Sequence, residues 1–204
     1  MEHIFKQGTN PNAPVLLLLH GTGGNERDLL PLADMIAPDA STLGVRGNVL
    51  ENGMPRFFRR LAEGVFDEQD LIYRTKELRD FIDDMAIQYE FNRSRVLAIG
   101  YSNGANIAAS LLYHFEDVLS GAILFHAMVP LSNIEIPDLS KTPVFIGAGK
   151  FDPLIPEQET KELVQHLRQA NSTVSEFWTN GGHQLIRDEV EQAKLWYDDN
   201  FSNK

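Results

Sequence analysis

The stretch Arg95–Phe115, RVLAIGYSNGANIAASLLYHF, changes character twice within a few residues. Val96-Leu97-Ala98-Ile99 is an apolar run of strand length. Gly100-Tyr101-Ser102-Asn103-Gly104 follows without a spacer. Ile107, Ala108, Leu111, Leu112 and Phe115 then recur at helical spacing, so the stretch reads strand, abrupt turn, buried helix. In that setting G-x-S-x-G is a nucleophile elbow. The turn holds the serine in a strained backbone conformation, and the two flanking glycines keep side chains clear of it. Ser102 Oγ is then presented at the C-terminal edge of a sheet, above a helix N-terminus that favours developing negative charge.

Outward from the elbow, apolar runs alternate with helical patterns. Pro14 to Leu19 is continuously apolar, as suits a strand buried on both faces of a parallel sheet. Asn25 is placed to cap a helix over about 27–37, with Leu29, Leu30, Ala33, Ile36 and Ala37 inward. Ser41 to Val45 reads as the next strand. A helix is expected from Asp70 to about Tyr89, its stripe Leu78, Phe81, Ile82, Met85 and Tyr89. Further strands are expected at 121–125, 142–146 and 174–178. Pro156 opens a helix with Leu163, Val164 and Leu167 inward, and a closing helix carries Val190, Ala193, Tyr197 and Phe201. The alternation predicts an α/β chain with a mostly parallel, doubly wound sheet flanked by helices, in one domain over 1–204. The stretch 48–69 lacks periodicity. It reads either as a lid or pocket loop, or as a surface loop pinned to the core by Phe57 and Phe58.

Composition narrows the function. The formal net charge of −11 argues against nucleic acid or an anionic membrane surface as a partner. Cysteine is absent, which excludes disulfides, thiol nucleophiles and cysteine metal sites, and fits a cytoplasmic protein. The start, MEHIFKQGTNPNAP, contains no apolar run of signal or membrane-span length.

Three chemically competent residues fall on loops after strands: Ser102, Asp152 in Gly147-Ala-Gly-Lys-Phe-Asp-Pro153, and His183 in Asn180-Gly-Gly-His183. A serine hydroxyl needs a neighbouring imidazole to remove its proton, and a carboxylate holds that imidazole in the right tautomer. His183 is the preferred base because it follows both the last strand and the acid. His114 and His166 fall on helices and His3 lies near the start. His126 ends a strand and can line a pocket, but precedes Asp152. Glu157 and Glu159 are the substitutes for the acid, and a plain turn or capping role is the alternative for Asp152. His20-Gly21-Thr22-Gly23-Gly24 fits neither a dinucleotide nor a Walker pattern. It reads as a second source of backbone N–H donors for an oxyanion, ordered by His20, or as a tight strand-to-helix turn.

The order serine, aspartate, histidine is that of α/β-hydrolases. With VLLLLHGTGG at 15–24, GYSNG, the Asp152 loop and Gly181-Gly182-His183, the chain resembles the phospholipase/carboxylesterase family of serine α/β-hydrolases. These are small bacterial esterases related to acyl-protein thioesterases. Asn25-Glu-Arg-Asp28 and RFFRRLAEGVFD at 56–67 look closest to a bacterial branch sometimes found beside hydroquinone-resistance genes. The resemblance implies an α/β-hydrolase fold with a Ser102–Asp152–His183 triad and oxyanion N–H groups from Thr22 and Asn103. It also implies a cofactor-independent, metal-free enzyme acting on a small-molecule ester, and is compatible with a homodimer. Asn103 departs from the glutamine usual in the thioesterase members, which bears on thioester preference. Met128, Leu154 and Phe57 are the candidate pocket residues. Short to medium acyl esters are the expected substrates, with lysophospholipids or acyl-protein thioesters as the second reading and a non-catalytic binding module as the third.

Overall fold

The computed structural model describes residues 1–202. Its frame is a seven-stranded sheet in which the interior strand β2 (Val15–Leu19) is completely buried. Val15, Leu17 and Leu19 of β2 enter one hydrophobic core, and Leu16 and Leu18 enter another on the opposite face. Both faces are therefore covered, which is why the strand is an unbroken apolar run rather than an alternating one.

Strand β1 (His3–Lys6) pairs antiparallel with β3 (Thr42–Val45) at one edge. The sheet then runs β3, β2, β8 (Val96–Tyr101), β9 (Gly121–Phe125), β10 (Val144–Gly149) and β11 (Val174–Thr179), all in parallel. Between β3 and β8 the chain forms two small hairpins outside this sheet. Helices α1 (Leu30–Ile36) and α5 (Arg187–Tyr197) cover one face. The other face carries α2 (Glu68–Gln88), α3 (Asn103–His114) and α4 (Glu157–Gln169). The chain leaves β2 toward β3, then crosses back to place β8 on the other side of β2. The direction of winding thus reverses between β2 and β8, and a crevice opens outside their carboxyl ends, where open α/β sheets bind ligands.

The stretch 48–69 is more ordered than its irregular sequence suggests. It forms the antiparallel hairpins β4 (Val49–Glu51) with β5 (Met54–Arg56), and β6 (Arg60–Ala62) with β7 (Val65–Phe66). Asn52 and Gly53 turn the first with φ of 52° and 79°, the paired positive values an Asn-Gly hairpin turn requires. Phe57 and Phe58, between the hairpins, are fully buried and anchor the excursion to the core.

Helix boundaries shift for local reasons. Helix α2 begins at Glu68, because Asp67 caps it by accepting from Asp70 N at 3.1 Å. Helix α1 begins only at Leu30. Asn25 Oδ1 accepts from Arg27 N and closes a tight turn ahead of the helix instead of capping it. The closing helix runs into a π-helical turn, Asp198–Ser202, through which Phe201 packs on Trp196 and Tyr197.

Strand β8 and helix α3 meet with almost no room. A Cβ on Gly100 would lie 2.7 Å from the Ala105 backbone, and one on Gly104 would overlap the carbonyl of Leu19 in the neighbouring strand. Gly104→Ala must therefore push α3 off β2. It should destabilise the protein by about 2 kcal/mol or more, read as a lower urea midpoint. An unchanged midpoint would mean the helix has slack that the packing denies.

Candidate active site

Ser102 stands at the turn from β8 into α3 with φ 52° and ψ −114°, a left-handed backbone that a serine adopts only under constraint. Its N–H donates to Phe125 O at 2.9 Å, tying the turn to β9. Asp152 follows β10 and His183 follows β11, so parallel pairing brings all three residues to one sheet edge. His183 Nε2 lies 2.9 Å from Ser102 Oγ, and His183 Nδ1 lies 2.7 Å from Asp152 Oδ2. Because a carboxylate only accepts, the second contact puts the His183 proton on Nδ1 and leaves Nε2 free to accept from the serine hydroxyl.

Asp152 is held from several directions. Its Oδ1 accepts from the backbone N–H groups of Leu154 at 2.9 Å and Ile155 at 3.1 Å. Its Oδ2 accepts from His183 and also from His126 Nδ1 at 3.0 Å. Burial pushes the carboxyl pKa up, but the bonds from His183, Leu154 and His126 outweigh it. The net pKa lies below the ordinary aspartate value. Tyr101 donates its hydroxyl to His183 O at 2.8 Å and packs its ring at 5.6 Å from the imidazole. Burial, with Asp152 and Glu189 nearby, raises the Tyr101 pKa and keeps the phenol a donor.

The loop after β2 reaches the same crevice. Thr22 and Asn103 line it beside Ser102. Among the described residues neither backbone N–H donates to a protein acceptor, so both are available to a ligand oxygen. His20 organises this loop from behind. Its Nδ1–H donates to Gly21 O at 2.6 Å, and its Nε2 accepts from Gly47 N at 3.0 Å. Burial pushes the His20 pKa down, consistent with a neutral ring in that role. Arg56 supports the loop from the hairpin side, donating from Nη1 to Thr22 Oγ1 at 2.7 Å and lying 3.2 Å from Glu51.

The crevice is a half-open cleft of about 400 Å³. Met128 and Leu154 line it, as the sequence reading expects. Phe57 does not, and this corrects that expectation. Its ring is fully buried against His20 at 4.8 Å, and its N–H donates to Asn103 Oδ1 at 2.8 Å. Phe66, Arg56 and Arg60 from the hairpins line the cleft in its place. Periodicity could not distinguish Phe57 from Phe66, because hairpin pairing decides which ring turns to solvent. Asn106, on the first turn of α3, also lines the cleft and accepts from Met128 N at 2.8 Å.

The sheet order, the cleft at the winding reversal and the strained turn carrying Ser102 define the α/β-hydrolase fold. The chain belongs to the dienelactone hydrolase family, whose sequence profile matches residues 56–199, and it is accordingly a hydrolase. A Bacillus subtilis protein named "Putative hydrolase MhqD" is 63% identical over 197 residues, covering 97% of this chain and 98% of that one. A carboxylesterase from Bacillus cereus has a crystal structure that superposes with a TM-score of 0.98 at 59% identity, over 98% of this chain and 95% of its own. A Mesorhizobium loti carboxylesterase matches with a TM-score of 0.87 at 27% identity, over 93% and 89% respectively. Among the described residues no helix is long and apolar enough to cross a membrane.

The Asn103 side chain joins the elbow to the hairpin segment through a bond buried from solvent. Asn103→Ala strands the Phe57 N–H without an acceptor. It should cost about 1–3 kcal/mol, measured by urea unfolding, and should speed proteolysis within 48–66. Wild-type stability would show that this bond does not anchor the hairpins.

Proposed function

We propose that this hydrolase is a serine carboxylesterase, of the phospholipase/carboxylesterase kind, that cleaves short to medium acyl carboxylic esters through a Ser102 acyl-enzyme. The observation that carries the reading is the unbroken line Oγ–Nε2 at 2.9 Å and Nδ1–Oδ2 at 2.7 Å, starting from a strained serine beside two unengaged N–H groups.

In the first half-reaction Ser102 Oγ attacks the ester carbonyl carbon while His183 Nε2 takes the hydroxyl proton. The carbonyl oxygen becomes an oxyanion and accepts from the Thr22 and Asn103 N–H groups, helped by the N-terminus of α3. Collapse breaks the bond to the alcohol oxygen, which leaves with the proton from Nε2. In the second half a water gives its proton to Nε2 and attacks the acyl carbon, and the acid is released as Ser102 regains its proton. Asp152 stays ionised throughout, holding the imidazole and balancing its transient charge. None of these steps calls for a metal or cofactor.

The cleft supports the proposed substrate range. A volume of about 400 Å³ lies at the small end of ligand sites, and suits a short acyl chain against Met128, Leu154 and Phe66. Arg56, Arg60 and Glu63 make one side polar. The hairpins over 48–66 act as a cover for that side, and the expected setting is cytoplasmic. A second reading, lysophospholipid or acyl-protein thioester hydrolysis, draws on exposed apolar residues on the same hairpins, Leu50, Leu61 and Val65.

p-Nitrophenyl esters from acetyl to palmitoyl test both. Activity peaking at short chains and lowered about 10⁶-fold by Ser102→Ala is the expected outcome. A peak at the longest chains would move the assignment to the lipid or thioester reading. Near-wild-type turnover in Ser102→Ala would overturn the acyl-enzyme mechanism.

A further inference from the structure

Behind Asp152, on the side away from the cleft, lies a second histidine that the three-residue mechanism leaves unused. His126 follows β9 directly and is buried, its side chain fully enclosed. Its φ is 53°, a left-handed backbone uncommon outside glycine. That strain aims the ring between two carboxylates. Nδ1 lies 3.0 Å from Asp152 Oδ2, the oxygen His183 uses, and Nε2 lies 3.1 Å from Glu189 Oε1. Glu189 is itself fully buried in the first turn of α5, where its Oε2 accepts from Ile186 N at 3.0 Å. Space for its carboxylate exists because residue 147 is glycine. A Cβ there would lie 3.1 Å from Oε1 and 2.8 Å from the Phe125 ring.

We propose that His126 and Glu189 form a buried positioning pair that, acting through Asp152, sets the pH range over which His183 works as a base. The proposal rests on the triad reading given above. Capping alone accounts for one oxygen of Glu189 and for neither nitrogen of His126. The proton count supplies the rest. Asp152 Oδ2 only accepts, so His126 Nδ1 carries a hydrogen. Nε2 and Oε1 lie 3.1 Å apart but off hydrogen-bond alignment, and neither has a hydrogen-bond partner among the described residues. Two unprotonated atoms bearing lone pairs repel when buried this close, so one of them carries a proton. On the nitrogen it makes His126 an imidazolium flanked by two carboxylates. Burial pushes the His126 pKa down, but Glu189 and then Asp152 outweigh it, and the net shift is upward.

The groups facing this ring are Asp152, Glu189, the His183 imidazole at 5.2 Å between ring centroids and the Tyr101 ring at 5.9 Å. His183 in turn faces Ser102, Asp152, Tyr101 and His126. The imidazolium has two effects on it. Its bond to Oδ2 keeps Asp152 ionised and fixed in direction. Its positive charge, closer to His183 than the Glu189 charge on the ring's far nitrogen, opposes protonation of His183 and extends base activity toward lower pH.

The test uses Glu189→Gln and His126→Gln with a short-chain ester. In Glu189→Gln the amide donates to Nε2, and His126 stays neutral with its Nδ1–H still on Asp152. The acid limb of the kcat/KM profile should move to higher pH by about one unit, with the plateau within about threefold of wild type. His126→Gln should move the limb the same way and also lower plateau kcat by about tenfold, with little change in KM. Profiles that superpose on wild type in both variants would overturn the proposal and leave the pair as packing. Should either variant fold poorly, ¹⁵N-histidine NMR of the unmutated protein at pH 7.5 decides. A doubly protonated His126 ring is expected, and a neutral ring would overturn the proposal. The NMR result does not require turnover. Labelling of Ser102 by an organophosphonate reports separately on the triad, so failure of the esterase mechanism is distinguishable from failure of the buried pair.

Discussion

The close approach of helix α3 to strands β2 and β8 is the constraint on which the rest depends. Gly100 and Gly104 let the helix backbone settle against strand backbone with no side chain between. The chain can make that approach only by reversing sharply at residue 102, and the positive φ of Ser102 is the geometric result. Such a conformation persists where its surroundings over-determine it. Here the surroundings are the Ser102 N–H bond to β9 and a helix buried along nearly its whole length. The strain that aims the hydroxyl into the cleft is thus offset by hydrophobic burial elsewhere.

Parallel pairing converts this local geometry into a shared site. Because β2, β8, β9, β10 and β11 all run the same way, the loops after them open on one edge. Thr22, Ser102, His126, Asp152 and His183 each come from a different one of those loops. No two of them are sequence neighbours, so the order of strands sets their separation. The carboxylate of Asp152 is where the loops meet. Four hydrogen bonds from Leu154, Ile155, His183 and His126 fix its direction and keep it ionised despite burial. A buried carboxylate with fewer donors would favour its neutral form and hold the imidazole less firmly.

The opposite side of the cleft is built differently. The hairpins over 48–66 contribute little sheet of their own and are held by Phe57 and Phe58 in the core, by the Asn103–Phe57 bond, and by Arg56 reaching Thr22. The loop after β2 and the cleft wall are therefore linked by the Arg56 guanidinium and by Gly23 N donating to Pro55 O at 2.9 Å. A substitution in the hairpins can reach the chemistry without touching Ser102. The wall itself is apolar at Phe66 and polar at Arg56 and Arg60.

Sequence alone determined the architecture and the setting of Ser102. The continuous run at 15–19 declares a strand buried on both faces, and Gly-x-Ser-x-Gly between an apolar run and a helical stripe declares the turn. Both are local consequences of side-chain size and period. The Asn52-Gly53 hairpin turn, by contrast, lies in a stretch that reads as irregular, although Asn-Gly is a two-residue turn signal. What only the tertiary structure decided were the contacts that depend on strand order and on which ring turns inward. Phe57 and Phe66 are both aromatic residues of one irregular stretch, yet the first is core and the second lines the cleft. His126 looked like a strand-end residue out of order, and nothing in the sequence singled out Glu189. They meet because β9 and α5 pack against β10 from different sides, where Gly147 leaves room for a carboxylate. No periodicity encodes a contact between residues so far apart in the chain. It exists only once the sheet has closed around it.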